Sequence, residues 1–140
     1  MLLIDVTSGA VTQMPAPTNT FPIIPVWGPA GIATLDAATT PVEGSTAPDL
    51  AGYSETLFSP SGTLLRTLIP DASAPRPGSQ FGFANSTGGA WSPDGRTLLL
   101  TTGPAHHSNG PLFTVPAGGG APQPLGNIVA AAETSVSWAK

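Results

Sequence analysis

The chain has 140 residues, 40% of them apolar, which is enough for one ordinary domain with a buried core and excludes global disorder as the expectation. Four Lys and Arg against eight Asp and Glu leave a net charge of −4, the wrong sign for a surface that gathers phosphates, so nucleic acid is set aside as a partner. The lack of cysteine excludes disulfide frameworks and thiolate metal sites, and 17 Gly with 17 Pro favour many short strands joined by turns over helices.

In chain order, the start Met1-Leu2-Leu3-Ile4-Asp5 lacks the basic region and long apolar run of a secretory signal, and no apolar stretch reaches membrane-spanning length. Neither a targeting segment nor a membrane span is therefore expected. Residues 2–14 read as two short strands about a turn at Gly9. Residues 21–27 and 31–37 read as a hairpin closed by Gly28-Pro29-Ala30-Gly31, and 53–59 and 63–69 as another closed by Pro60-Ser61-Gly62. Between and after them, residues 39–48 and 70–79 are low-charge, Pro-bearing stretches that read as surface loops.

Trp91-Ser92-Pro93-Asp94-Gly95 is the most informative turn, joining strands at 86–92 and 96–102. Pro93 presets φ for the first corner of a type I turn, Asp94 suits the second, and Gly95 supplies the left-handed residue that closes a bulged hairpin. Trp91 offers a large apolar plate for a neighbouring sheet, and Leu98-Leu99-Leu100 reads as a strand buried on both faces. Strands at 111–116 and 120–126 flank Gly118-Gly119-Gly120, and 132–138 forms a last strand ending at Trp138, giving eleven strands in all.

These elements repeat. A shift of 111 residues lays segment 2–27 on 113–138 without a gap, placing Gly9 on Gly120, Ala10 on Ala121, Met14 on Leu125 and Trp27 on Trp138. The three Trp are spaced by 64 and 47 residues. The second spacing is close to the roughly 40–45 residues of a four-stranded propeller blade. The first is longer, because Trp91 follows Leu68 by 23 positions where the other copies have 13.

The Trp-Ser-Pro-Asp-Gly unit resembles the repeat of TolB-like β-propellers, a group similar in shape to WD-repeat proteins and seen also in prolyl-oligopeptidase-type peptidases. Its signature residues here are Trp27, Gly31, Gly62, Trp91, Ser92, Pro93, Asp94, Gly95, Gly120 and Trp138. Ala30 replaces the Asp in the first copy, and Pro116 stands where Asp5 supplies an acid. The resemblance implies an all-β fold, an incomplete β-propeller of about 2.5–3 blades of four-stranded antiparallel sheet. Residues 1–20 would end one blade, 21–69 form a second with long loops, 70–84 insert a Pro-rich segment, 85–130 form a third and 131–140 begin a fourth. Since propellers close with about four to eight blades, the chain reads as a piece of a longer protein in preference to a self-assembling ring.

The candidates for chemistry have simpler structural explanations. His106 and His107 are adjacent on an extended loop, where side chains point apart and no third ligand is spaced nearby, so no metal site is expected. No Gly-x-Ser-x-Gly elbow exists for a serine nucleophile, and Ser92 belongs to a turn. Asp36, Glu43, Asp49, Glu55, Asp71, Asp94 and Glu133 are scattered, and solvated surface is the expectation for them. Gly118-Gly119-Gly120 lacks the Lys-Ser or Lys-Thr pair of a phosphate loop, and Asn85-Ser86-Thr87 is a bare glycosylation sequon.

The expectation is a non-catalytic binding or scaffold module without cofactor, whose partner is another protein or the remaining blades of a larger propeller. Alone, its open edges would favour homo-oligomers or aggregation. The family resemblance implies an exported or cell-envelope bacterial setting. A propeller domain serving a hydrolase whose catalytic domain lies outside these residues, or a reading frame with no independent function, are the alternatives.

Overall fold

Gly and Pro punctuate the chain so often that strands dominate it. The computed structural model describes residues 1–16, 19–40, 49–74, 76, 89–102, 110–130 and 137–138, and among them every regular element is a β-strand. Strand β1 (Leu2–Ile4) pairs antiparallel with β2 (Val11–Gln13). Strands β3 (Thr20–Gly28), β4 (Gly31–Thr40), β5 (Asp49–Phe58) and β6 (Leu64–Ile69) form a four-stranded antiparallel meander, the first sheet. Strands β7 (Gly89–Trp91), β8 (Thr97–Thr101), β9 (Gly110–Pro116) and β10 (Gln123–Ala130) form a second meander of the same order.

Strand boundaries differ most from the sequence-based expectation at β4, β5 and β10, the last of which runs to Ala130 where an end at residue 126 was expected. Strand β4 runs on to Thr40 and β5 starts at Asp49, so that the two pair out to Thr40↔Asp49 beyond a register shift at Ala38 and Thr39. Small uncharged residues such as Ala37 and Ala38 let this ladder continue where a loop was expected. Strand β10 begins at Gln123, not residue 120, because Gly119 and Gly120 take positive φ and Pro122 has no N–H to give the ladder. Residues 41–48, 77–88, 103–109 and 131–136 lie outside the described residues, and with them His106, His107, the sequon and the greater part of the expected last strand.

Two apolar clusters hold the sheets together. In an antiparallel ladder, residues directly opposite share a face. Trp91↔Leu98, Leu98↔Val115 and Leu100↔Phe113 therefore put one buried face of the second sheet against Ala33, Leu35, Leu57, Leu68 and Ile69 of the first. Leu99 is buried as well, so the three leucines of β8 are covered on both faces, as their sequence indicated. The other face of the first sheet, at Ile32 and Phe58, is covered by Met14 and Leu3 from the β1–β2 hairpin. Among the described residues no helix is long and apolar enough to cross a membrane.

Candidate functional site

The sheets meet along their first strands, through tryptophan. Trp91, at the end of β7, donates its indole N–H to the carbonyl of Val26 at 3.1 Å. Trp138 repeats the contact against the second sheet, donating to the carbonyl of Ala90 at 3.0 Å. Both acceptors are residues that directly precede a Trp, so the two indoles read the same backbone position, one in each four-stranded sheet. Gly28 makes the approach possible: a Cβ there would lie 2.3 Å from the Trp91 side chain.

The turn after Trp91 is knit by Ser92. The carbonyl of Ser92 accepts from the N–H of Gly95 at 2.9 Å, and its N–H donates to the carbonyl of Thr97. The Ser92 hydroxyl donates to Asp94 Oδ1 at 2.6 Å and accepts from the N–H of Thr97 at 3.0 Å. Pro93 is the exposed first corner and Gly95 is left-handed, with φ of 69°. Asp94 accepts also from the N–H of Arg96, and these bonds, the Ser92 hydroxyl foremost, hold its carboxyl below its ordinary value. The turn at Ser59 copies the plan with a shorter loop: Ser59 accepts from Gly62 (φ 84°), and the Ser59 and Ser61 hydroxyls take the place of the Ser92–Asp94 pair. Gly62 lies against Leu3 and Met14. Gly31 pairs with Gly28 across a two-residue link, and Gly120 is an exposed turn residue after the carbonyl of Pro116 has accepted from Gly119.

Two carboxylates expected on the surface are instead buried in the central strands of the first sheet. Asp36 on β4 and Glu55 on β5 are both shielded from solvent. Strands β4 and β5 are the inner strands of the first sheet, which lies between the second sheet and the β1–β2 hairpin, and the uncharged runs around these residues carry them inside. Burial pushes the Glu55 carboxyl up to about 8, and the neighbouring Asp36 charge adds to the shift. Asp36 is raised by burial too, while the hydroxyls of Thr56 and Thr34 pull the other way. Thr34 donates to Asp36 Oδ1 at 2.8 Å, and Oδ2 has no partner among the described residues.

These two acids do not form a catalytic dyad. Asp36 lies opposite Ser54 while Glu55 lies opposite Leu35, so their side chains leave opposite faces of the sheet. Asp36 shares its face with Ile32, Thr34 and Thr56, toward the β1–β2 hairpin; Glu55 shares the face of Leu35 and Leu57, toward the second sheet. Among the described residues, no three His, Cys, Asp or Glu side chains come together as a metal cage would need. A cleft of about 590 Å³ between the sheets, lined by residues that include Leu68, Ile69, Pro70 and Pro122, is mainly apolar.

The remaining feature is Trp27. It pairs with Ile32, which pairs with Phe58, so all three share the face that looks toward the β1–β2 hairpin. Met14 covers Ile32 and Phe58, but Trp27 stays 59% exposed, whereas Trp91, at the same place in the second sheet, is 7% exposed. No hydrogen bond of the Trp27 indole occurs among the described residues, and the ring borders a cleft of about 360 Å³ with Leu3, Ile4, Thr12 and Pro60. No family model matches this chain, and neither a curated protein nor a solved structure does.

Proposed function

We propose that the chain is a non-catalytic binding or scaffold module made of propeller blades, whose partner is a protein or further blades of the same kind. The observation that carries this reading is the tryptophan contact used twice, Trp91 to Val26 and Trp138 to Ala90, with the third tryptophan uncovered. A repeating indole-to-carbonyl contact is the mark of an architecture extended by adding like units, and an exposed aromatic at its end is a surface for the next one. The Trp91-Ser92-Pro93-Asp94-Gly95 turn, which resembles those of TolB-like propellers, agrees with it.

The test is light scattering coupled to size-exclusion chromatography over a range of concentrations, on the chain and on Trp27→Ser. The module reading expects concentration-dependent association that the substitution reduces. A clean compact monomer at high concentration, indifferent to the substitution, would overturn it.

A further inference from the structure

Two open features of the N-terminal region lie beside each other. The first is Trp27, whose indole N–H finds no acceptor among the described residues, where its two counterparts find one. The second is the free edge of β1, which among the described residues pairs with β2 alone. The N–H of Met14 donates to the carbonyl of Met1, and the N–H of Asp5 donates to the carbonyl of Ala10. Odd-numbered residues thus bond to β2, and the N–H and C=O groups of Leu2 and Ile4 point to the open edge. Their side chains are exposed as well.

The internal repeat says what fits there. The 111-residue shift carries β9 onto β1 and Trp138 onto Trp27. In the second sheet, β8 pairs with β9, and β7 beyond it supplies the Ala90 carbonyl that Trp138 reads. The counterparts of β7 and β8 beside β1 would occupy the space between the free edge and Trp27.

We propose that this surface binds a β-hairpin from another polypeptide. Its second strand pairs antiparallel with β1 through Leu2 and Ile4, and its first strand presents a main-chain carbonyl to the Trp27 indole N–H. The hairpin's chemistry is that of β7–β8: a short apolar first strand ending in x-Trp, a Ser-Pro-Asp-Gly turn and an apolar second strand. Exposed strand edges are templates for such addition, in which backbone bonds supply affinity and side-chain pockets supply choice. The inference rests on the module reading above and names its partner.

The probe is a synthetic peptide with the sequence of residues 89–101, clipped by a terminal disulfide because a lone hairpin is marginally stable. It is added to the ¹⁵N-labelled full chain. The expected result is a downfield shift of the Trp27 indole N–H together with slowed exchange of the Leu2 and Ile4 amides, while the Trp91 and Trp138 indoles stay in place. Trp27→Phe, which keeps the ring and removes the donor, is expected to weaken binding about three- to tenfold, the worth of one hydrogen bond. No change at Trp27, Leu2 and Ile4, or equal shifts of all three indoles, would overturn the proposal. So would protection of these sites without peptide that grows with chain concentration and that added peptide does not displace, because a contact other than hairpin addition would then hold the surface. A chain that associates through its open faces yet ignores the hairpin sinks this inference alone; a clean monomer that ignores it sinks the module reading too.

Discussion

The two four-stranded sheets are built to one plan and differ in their surroundings. Trp27 and Ile32 in the first occupy the places of Trp91 and Leu98 in the second. Across β4–β5, Thr34 faces Thr56 where Leu100 faces Phe113 in the second sheet. The second sheet therefore turns an unbroken apolar face to its neighbour. The first turns a mixed face, with Asp36 beside the threonines, to a hairpin that covers only part of it. The comparison teaches that a repeat sets the direction of a side chain, whereas its burial depends on the neighbour that arrives.

The sharpest way to break that comparison is to truncate both tryptophans. Trp91→Ala should cost about 3–5 kcal/mol, since a large buried ring and its bond to Val26 are lost. Trp27→Ala should cost no more than about 0.5 kcal/mol, as an exposed residue does. Urea denaturation measures both, and equal costs would mean that the two positions are alike after all.

Next in size is the pH dependence that Glu55 gives the first sheet. Its carboxyl is raised from 4.5 to about 8 in the fold, so between these values the unfolded chain has already lost the proton that the folded chain keeps. Stability must then fall as pH rises through this window, by up to about 1.4 kcal/mol per pH unit, and level off above it. Glu55→Gln should flatten the slope; a slope that persists unchanged would assign it to Asp36, which is shifted in the same direction.

Gly28→Ala should cost about 1–3 kcal/mol, because the new methyl meets Trp91 and the seam between the sheets must part. A double variant with Trp91→Ala should lose less than the sum of the two, which would locate the clash at this contact. The smallest effect belongs to the turns. Ser92→Ala removes a hydroxyl that donates to Asp94 and accepts from Thr97, a loss of about 1 kcal/mol. Ser59→Ala in the more open turn should cost less, and thermal melts of the two variants compare them directly.

Much of the fold was legible because it is written locally. Pro93 and Gly95, or Pro60 and Gly62, dictate a reversal through their own backbone preferences, whatever surrounds them. The ten strands follow from the runs between such turns, and the places where β4, β5 and β10 depart from expectation are ends, where no single residue forces a stop. The candidate site was half legible: the tryptophan spacing pointed to a repeated contact, but nothing near Trp27 in sequence distinguishes its surroundings from those of Trp91.

The acids illustrate the same boundary. A carboxylate is ordinarily a surface residue, and Asp36 and Glu55 carry no local signal against that rule beyond uncharged neighbours. Their burial follows from lying on inner strands between two layers, which is a property of the assembled sheets. The sequence by itself determined the turns, the strand alternation and the 111-residue register that lays Trp27 on Trp138. Tertiary structure decided which carbonyls the Trp91 and Trp138 indoles reach, that Asp36 and Glu55 leave opposite faces, and that Trp27 and the edge of β1 are open among the described residues. Turn chemistry acts over four or five residues, whereas burial is a sum over neighbours brought from far along the chain.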